Sequence, residues 1–378
     1  MLRRIIVSCV LGALVLVAAA PESEASVTPI TTCGQVVTAS AVLAHSLYCP
    51  GTSGVVVGAA GVTIDLKGFT LRGDGSFGTA GVDDSGGFAK IAVKNGVVRN
   101  FNFGVYSEGD TLSVSAVVAS GNGNGVNGAG ISALGASASI TSSNAAGNAG
   151  FGIVALGASA SIASSTASGN LFDGIFAGDS ARIQSSSAYG NSLDGILVGG
   201  DSASIKSSTA SANAGNGIAV GGDLASIKSS VTSANASHGI VVSGNAASIT
   251  SNRAEANGYP GGASNLAGLG IYVHNFATAP VGTNIARAND DPERVQSHLP
   301  LLKPSDQLRI DTSPRGSATH KCAARNRNGS DALAVSVPGA ETTTANEPLL
   351  PGVATSSVAA PPPVRRPEPI SRSCQRSR

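Results

Sequence analysis

Between residues 104 and 257, apolar and polar positions alternate in short bursts rather than over long stretches. A Gly-Ile or Gly-Val pair opens each burst, at Gly104, Gly130, Gly152, Gly174, Gly195, Gly217 and Gly239. From Gly130 onward the steps are 22 residues, with a single step of 21. Two further columns keep that beat: Ile140, Ile162, Ile183, Ile205, Ile227 and Ile249, and Asn148, Asn170, Asn191, Asn213, Asn235 and Asn257. All three columns share the shortened step, which establishes an internal repeat.

Each repeat reads as three strand-like stretches separated by Gly, Ser, Asn and Asp turn signals. Alternation places Ile218 and Val220 on one face and Ala219 on the other. It also pairs Ile205 with Ser207, and sets Ala145, Ala167, Ala188, Ala210 and Ala254 in one inward column. Glycine and β-branched residues interrupt every helical window, and the leucine-asparagine frame of leucine-rich repeats is absent. About 22 residues in three strands is the span of one coil of a parallel β-helix. Equivalent residues then stack about 4.8 Å apart, so identical side chains form ladders. The asparagine column closes a turn, with each amide bonding to backbone and to the next asparagine.

Upstream, Cys33-Gly34-Gln35-Val36-Val37, Leu43, Leu47 and Cys49-Pro50-Gly51 lead into Gly61-Val62-Thr63-Ile64-Asp65-Leu66-Lys67-Gly68-Phe69-Thr70-Leu71. Here the chain resembles the N-terminal cap and first coil of secreted bacterial proteins of the pectate-lyase-like right-handed β-helix superfamily. The resemblance spans about residues 33 to 285. It implies an all-β, right-handed parallel β-helix of about ten coils over residues 61–286, preceded by a cap segment over 27–60. It also implies a disulfide between Cys33 and Cys49, which suits an oxidising compartment. Lyases, hydrolases, epimerases, adhesins and proteins without known catalysis share that fold. No lyase or hydrolase signature of the superfamily can be placed residue by residue, so no catalytic role is carried over.

The ends read differently. Arg3 and Arg4, the apolar run Ile5–Ala20 and small residues after it form a signal peptide over 1–26. The run is too short for a membrane span, so the mature chain is expected to be secreted, extracellular or periplasmic. After Arg287 the beat is lost, and twelve of the 17 prolines but only four of the 49 glycines follow. Two readings of 287–378 stay open: a proline-rich disordered tail, or sequence translated in a shifted frame. The second starts from Asn289-Asp290-Asp291-Pro292, which resembles a closing segment but lacks the cysteine and cap that would follow it.

Composition narrows the chemistry. Charged residues make up 12%, tryptophan is absent and the formal net charge is +1. That balance gives no attraction to nucleic acid, and few aromatics speak against sugar-stacking subsites. Zinc spacing, a phosphate-binding loop and a nucleophile elbow are missing. Two acidic columns remain. Asp179, Asp201 and Asp223, continued by Asn245, repel by about 1 kcal/mol per adjacent pair in water. A calcium ion could relieve that strain, as could Arg182, Lys206 and Lys228 on the same coils, or plain solvation. Asp173, Asp194 and His238 stand just before the repeat glycine, where two carboxylates on adjacent coils suit acid-base catalysis. Ordinary Asp-Gly turn chemistry explains the same residues. Lys90, Lys94 and Arg99 form a candidate basic strip, and the longer turns at 74–87, 122–130 and 258–268 are further places for a site. Two functions follow. One is a binding or structural role outside the cell, directed at carbohydrate; the other is a polysaccharide lyase, epimerase or hydrolase acting on an acidic glycan. Oligomeric state stays open.

Overall fold

Three short strands joined by three corners make each coil, and successive coils pair in parallel register. First strands, such as Ile196–Val198 and Ile218–Val220, stack into an 11-stranded sheet. Second strands (Ser204–Lys206, Ser226–Lys228) and third strands (Thr209–Ser211, Val231–Ser233) share a 21-stranded sheet. They merge because Ala92–Arg99 and Ser113–Ser120 run unbroken through the corner between them. This computed structural model describes residues 27–124, 128–258, 270–273, 283–287, 289 and 309–311. The signal peptide, His274, Cys322, Cys374, the 258–268 turn beyond Gly258 and nearly all of the expected tail lie outside them.

The corners explain the sequence period. Ser202, Ser207 and Ala212 hold φ of 57°, 51° and 54°, one left-handed residue at each corner of a single coil. That conformation costs a non-glycine residue about 1–2 kcal/mol. Each corner nevertheless keeps its place in the ladder: Ser202, Ser207 and Ala212 donate their N–H to the carbonyls of Asp223, Lys228 and Ser233 at 2.7, 3.0 and 2.9 Å. The corner at Ser207 breaks the alternation expected there. Ile205 points inward but Ser207 is exposed, and Ser208 is the buried residue. One left-handed residue rotates the chain so that the next side chain, rather than its own, enters the core.

Stacked side chains fill that core. Ile153, Ile175, Ile196, Ile218 and Ile240 line the first strands, and Ile162, Ile183, Ile205, Ile227 and Ile249 the second, all fully buried. Burying each such chain contributes about 1.5–3 kcal/mol. The third strands carry mostly alanine, and the corner after them holds an asparagine ladder. Asn213 Nδ2 donates to Asn235 Oδ1 at 2.8 Å and to the Ala188 carbonyl at 3.2 Å. Its own Oδ1 accepts from the backbone N–H and Nδ2 of Asn191. The ladder runs from Asn122 to Asn257 and on to Asn289. It also dictates the repeat glycine. A Cβ on Gly195 would sit 2.5 Å from Asn213 Nδ2 and 2.7 Å from the Gly217 carbonyl oxygen.

The ends are closed unequally. Cys33 and Cys49 form the expected disulfide, and Thr28–Ile30 adds a strand beside Ala41–Leu43. Gln35–Val37 and Val55–Val57 already belong to the first-strand sheet. Beyond the regular coils, Ile285–Arg287 pairs with Arg253–Glu255, and Arg309–Asp311 pairs with Ile285–Arg287. No described helix is long and apolar enough to cross a membrane.

Candidate functional site

The outward side of the first-strand sheet differs from the rest of the surface. Its central row reads Tyr106, Ser132, Val154, Phe176, Leu197, Ala219, Val241 and Tyr272 from coil to coil. The other sheet shows mostly serine, threonine, lysine and arginine at comparable positions, as in Ser204, Lys206, Thr209 and Ser211. A second outward row lies just before the repeat glycine: Phe103, Ala129, Phe151, Asp173, Asp194, Asn216 and His238. Aromatic rings from the two rows and the adjoining corner meet. Phe103 and Tyr106 are 4.9 Å apart at their centroids, Phe151 contacts Phe172 and Phe176 at 5.0 and 5.9 Å, and His238 stacks on Tyr272 at 5.5 Å. Six of the described phenylalanines and tyrosines lie on this one strip. Leu171 and Leu193, 44% and 47% exposed, rim it.

Carboxylates sit within this strip. Asp173 is only 5% exposed, and burial pushes its carboxyl up to about 6, helped by the charge of Asp194 on the next coil. Burial also raises Asp194, against hydrogen bonds from Asn216 that lower it. Asp173 Oδ1 accepts the Asp194 backbone N–H at 2.8 Å, and Asp194 Oδ1 accepts the Asn216 N–H at 2.6 Å. Asn216 Oδ1 in turn accepts the His238 N–H at 3.2 Å. The column is thus a ladder in which each side chain caps the next coil. It brings Asp173 and Asp194 together and interposes Asn216 between them and His238, whose imidazole burial holds neutral at lower pH than usual.

Asp179, Asp201 and Asp223 occupy the corner after the first strands and repeat the same device. Asp179 Oδ1 accepts the Asp201 N–H, Asp201 Oδ1 that of Asp223, and Asp223 Oδ1 that of Asn245, at 3.0, 2.8 and 2.6 Å. One oxygen of each is committed to the neighbouring backbone. Among the described residues no group of three His, Cys, Asp or Glu side chains is arranged to hold a metal. In this geometry each of the three aspartates caps the next coil.

Two polar groups here escaped the sequence reading. Asp84 occupies the inward position that other coils give to Ala133, Ala155 or Val198, and is 1% exposed. It accepts the Ser107 hydroxyl at 2.6 Å and the Phe88 N–H at 2.9 Å, which pins the 85–90 turn beside the strip. Burial raises its carboxyl. A carboxylate followed one coil later by Ser107, in a column that is Ala or Val elsewhere, was the signal. Tyr106 Oη donates to Glu108 Oε1 at 2.5 Å, and burial, foremost, with that bond pushes the phenol up to about 12.

Residues 151–291 match the family model described as a right handed beta helix region. The solenoid is a right-handed parallel β-helix. Solved structures similar to this β-helix include the A-module of mannuronan C-5 epimerase AlgE4 from Azotobacter vinelandii. It is 15% identical, covers 68% of this chain and 86% of its own, and gives a TM-score of 0.42. The A-module of AlgE6 from the same organism is 14% identical over 67% of this chain and 71% of its own, with a TM-score of 0.35. No curated protein sequence matches the chain.

Proposed function

We propose that this β-helix is an exported carbohydrate-binding protein that holds a neutral polysaccharide along its first-strand face. The gathering of Phe151, Phe172 and Phe176 beside Asp173 and Asp194, with the Phe103–Tyr106 pair further along the same face, supports the reading. Flat rings and half-buried aliphatics suit the C–H faces of sugars, and carboxylates and Asn216 suit their hydroxyls. The strands of this sheet carry no lysine or arginine, so its charge favours a neutral glycan over a uronate polymer. Export is supported by the N-terminal sequence pattern and the disulfide.

The test is affinity electrophoresis of the mature chain against neutral glucans, mannans and xylans. Retardation is expected, weakened between about twofold and tenfold by Phe176→Ala. Equal mobility with and without every neutral glycan would reject the proposal.

A hydrolytic reading is favoured by one observation, the raised carboxyl of Asp173 against Asp194. A carboxyl near 6 can donate a proton to a leaving glycosidic oxygen at mildly acidic pH. Release of reducing ends that disappears in Asp173→Asn is the expected result. Bound polymer that stays intact leaves binding as the function.

A further inference from the structure

Charge on this β-helix is segregated. Every lysine and arginine that lies in a strand belongs to the 21-stranded sheet. Among the described residues acidic side chains gather on the first-strand sheet and its flanking turns; Asp65, Glu255 and Asp311 stand in the other sheet, and the first two are ion-paired with cations. The imbalance is sharpest on the third strands of the early coils.

There Arg72 and Arg99 are register partners on Thr70–Arg72 and Ala92–Arg99. Both point outward, both are exposed, and neither has an ion pair among the described residues. The nearby Asp65 is already shared by Lys67 and Lys94, at 3.9 and 3.8 Å. Asp74 is occupied by the N–H groups of Gly51 and Ser76. Tyr48, the register partner of Arg72 on the preceding coil, lays its ring 5.4 Å from the Arg72 guanidinium. Ser120 follows Arg99 on the next coil. The row Tyr48–Arg72–Arg99–Ser120 is held by a rigid frame. Cys49 N–H donates to the Arg72 carbonyl at 2.7 Å, Gly73 N–H to that of Arg99 at 2.9 Å, and the Cys33–Cys49 disulfide anchors the strand bearing Tyr48.

We propose that Arg72 and Arg99 form a second binding site, distinct from the aromatic strip, for the carboxylate or sulfate groups of an acidic polysaccharide. Two arginines whose backbones stand about 4.8 Å apart along the rod can bring their planar guanidinium forks onto one oxyanion or onto two on successive sugars, each by paired N–H···O bonds. Stacking on Tyr48 limits the rotamers of Arg72 before any ligand arrives. The Ser120 hydroxyl extends the row with a further donor.

The experiment measures binding of the full chain to polygalacturonate, to dextran sulfate and to uncharged dextran by isothermal titration calorimetry. Both anionic polymers are expected to bind, more weakly as salt is raised. The double variant Arg72→Gln/Arg99→Gln is expected to lose about tenfold or more in affinity while unfolding at the wild-type temperature. Tighter binding of polygalacturonate assigns the site to carboxylates, and tighter binding of dextran sulfate to sulfate esters. Phe176→Ala should leave both affinities unchanged, which separates this site from the neutral-glycan strip. Absence of binding to either anionic polymer, or wild-type affinity in the double variant, overturns the proposal.

Discussion

The backbone N–H of Asp194 donates to Oδ1 of Asp173 at 2.8 Å, across one coil boundary. The bond ties a buried carboxyl to the ladder without removing the cost of ionising it. Its value of about 6 lies above the 3.8 of an unperturbed aspartate, so between those limits the folded chain binds a proton that the unfolded chain has released. The contribution of Asp173 to stability is therefore greatest below pH 4 and declines as pH rises toward 6, by about 2–3 kcal/mol. Asp173→Asn should remove that decline. Denaturant unfolding of both proteins at pH 4 and pH 7 checks it: the variant gains on the wild type at pH 7.

Thr232 stands in the inward alanine column, between Ala210 and Ala254, and its hydroxyl is buried without a partner among the described residues. An unbonded buried hydroxyl costs about 1–3 kcal/mol. Thr232→Ala restores the column, and its unfolding midpoint should equal or exceed that of the wild type. A clear loss of stability would show that the hydroxyl is satisfied in solution.

Asn213→Ala should be far more damaging. It strips partners from the N–H and Nδ2 of Asn191 and from the Ala188 carbonyl, all buried, and leaves Asn235 Oδ1 only the backbone N–H of residue 213. Two or more orphaned groups at about 1–3 kcal/mol each predict a loss of about 3–5 kcal/mol. The neighbouring Ala212→Gly, at an exposed corner where earlier coils already hold Gly147, Gly169 and Gly190 at φ of 60–65°, should cost nothing. Amide exchange localises the difference, with protection falling on the coils that flank residue 213.

Reducing the cap should loosen one end alone. The disulfide closes a loop with a sequence separation of 16, worth about 3 kcal/mol. In a solenoid each coil touches mainly its neighbours. Cys33→Ser/Cys49→Ser should therefore unfold the segment before about residue 73 at lower temperature, with the isoleucine ladders downstream still protected from exchange.

The repeat was legible because one-coil periodicity survives any ignorance of corners: the Gly, Ile and Asn columns each mark a fixed place in the coil. What the pattern could not show was where alternation breaks. Ser207 and Ser208 are identical in sequence, and only the left-handed backbone at the first sends the second inward. The second asparagine ladder was hidden for a related reason. Asn252 and Asn284 continue the column of Ser208 and Ser230 rather than repeating their own kind. The aromatic strip was missed because its members come from different rows, Phe151 before the glycine, Phe176 after it and Phe172 at the corner. Single-column reading cannot assemble them. Asp173 and Asp194 were found from adjacency, but the role of Asn216 as the rung separating them from His238 needed the backbone.

The coil between Gly174 and Gly195 is one residue shorter than its neighbours. Ala177 reaches Ala181 in four steps where Val198 needs five to reach Ala203, yet Ser180 and Ser202 turn the chain identically and the strands on either side stay in register. Length can thus be trimmed at that corner while the other two stay untouched. By the same logic whole units are interchangeable modules. A gene that gained or lost one by unequal recombination would encode a rod about 4.8 Å longer or shorter, with the same three sides. The molecule is built as a ruler whose graduations can be counted out by duplication.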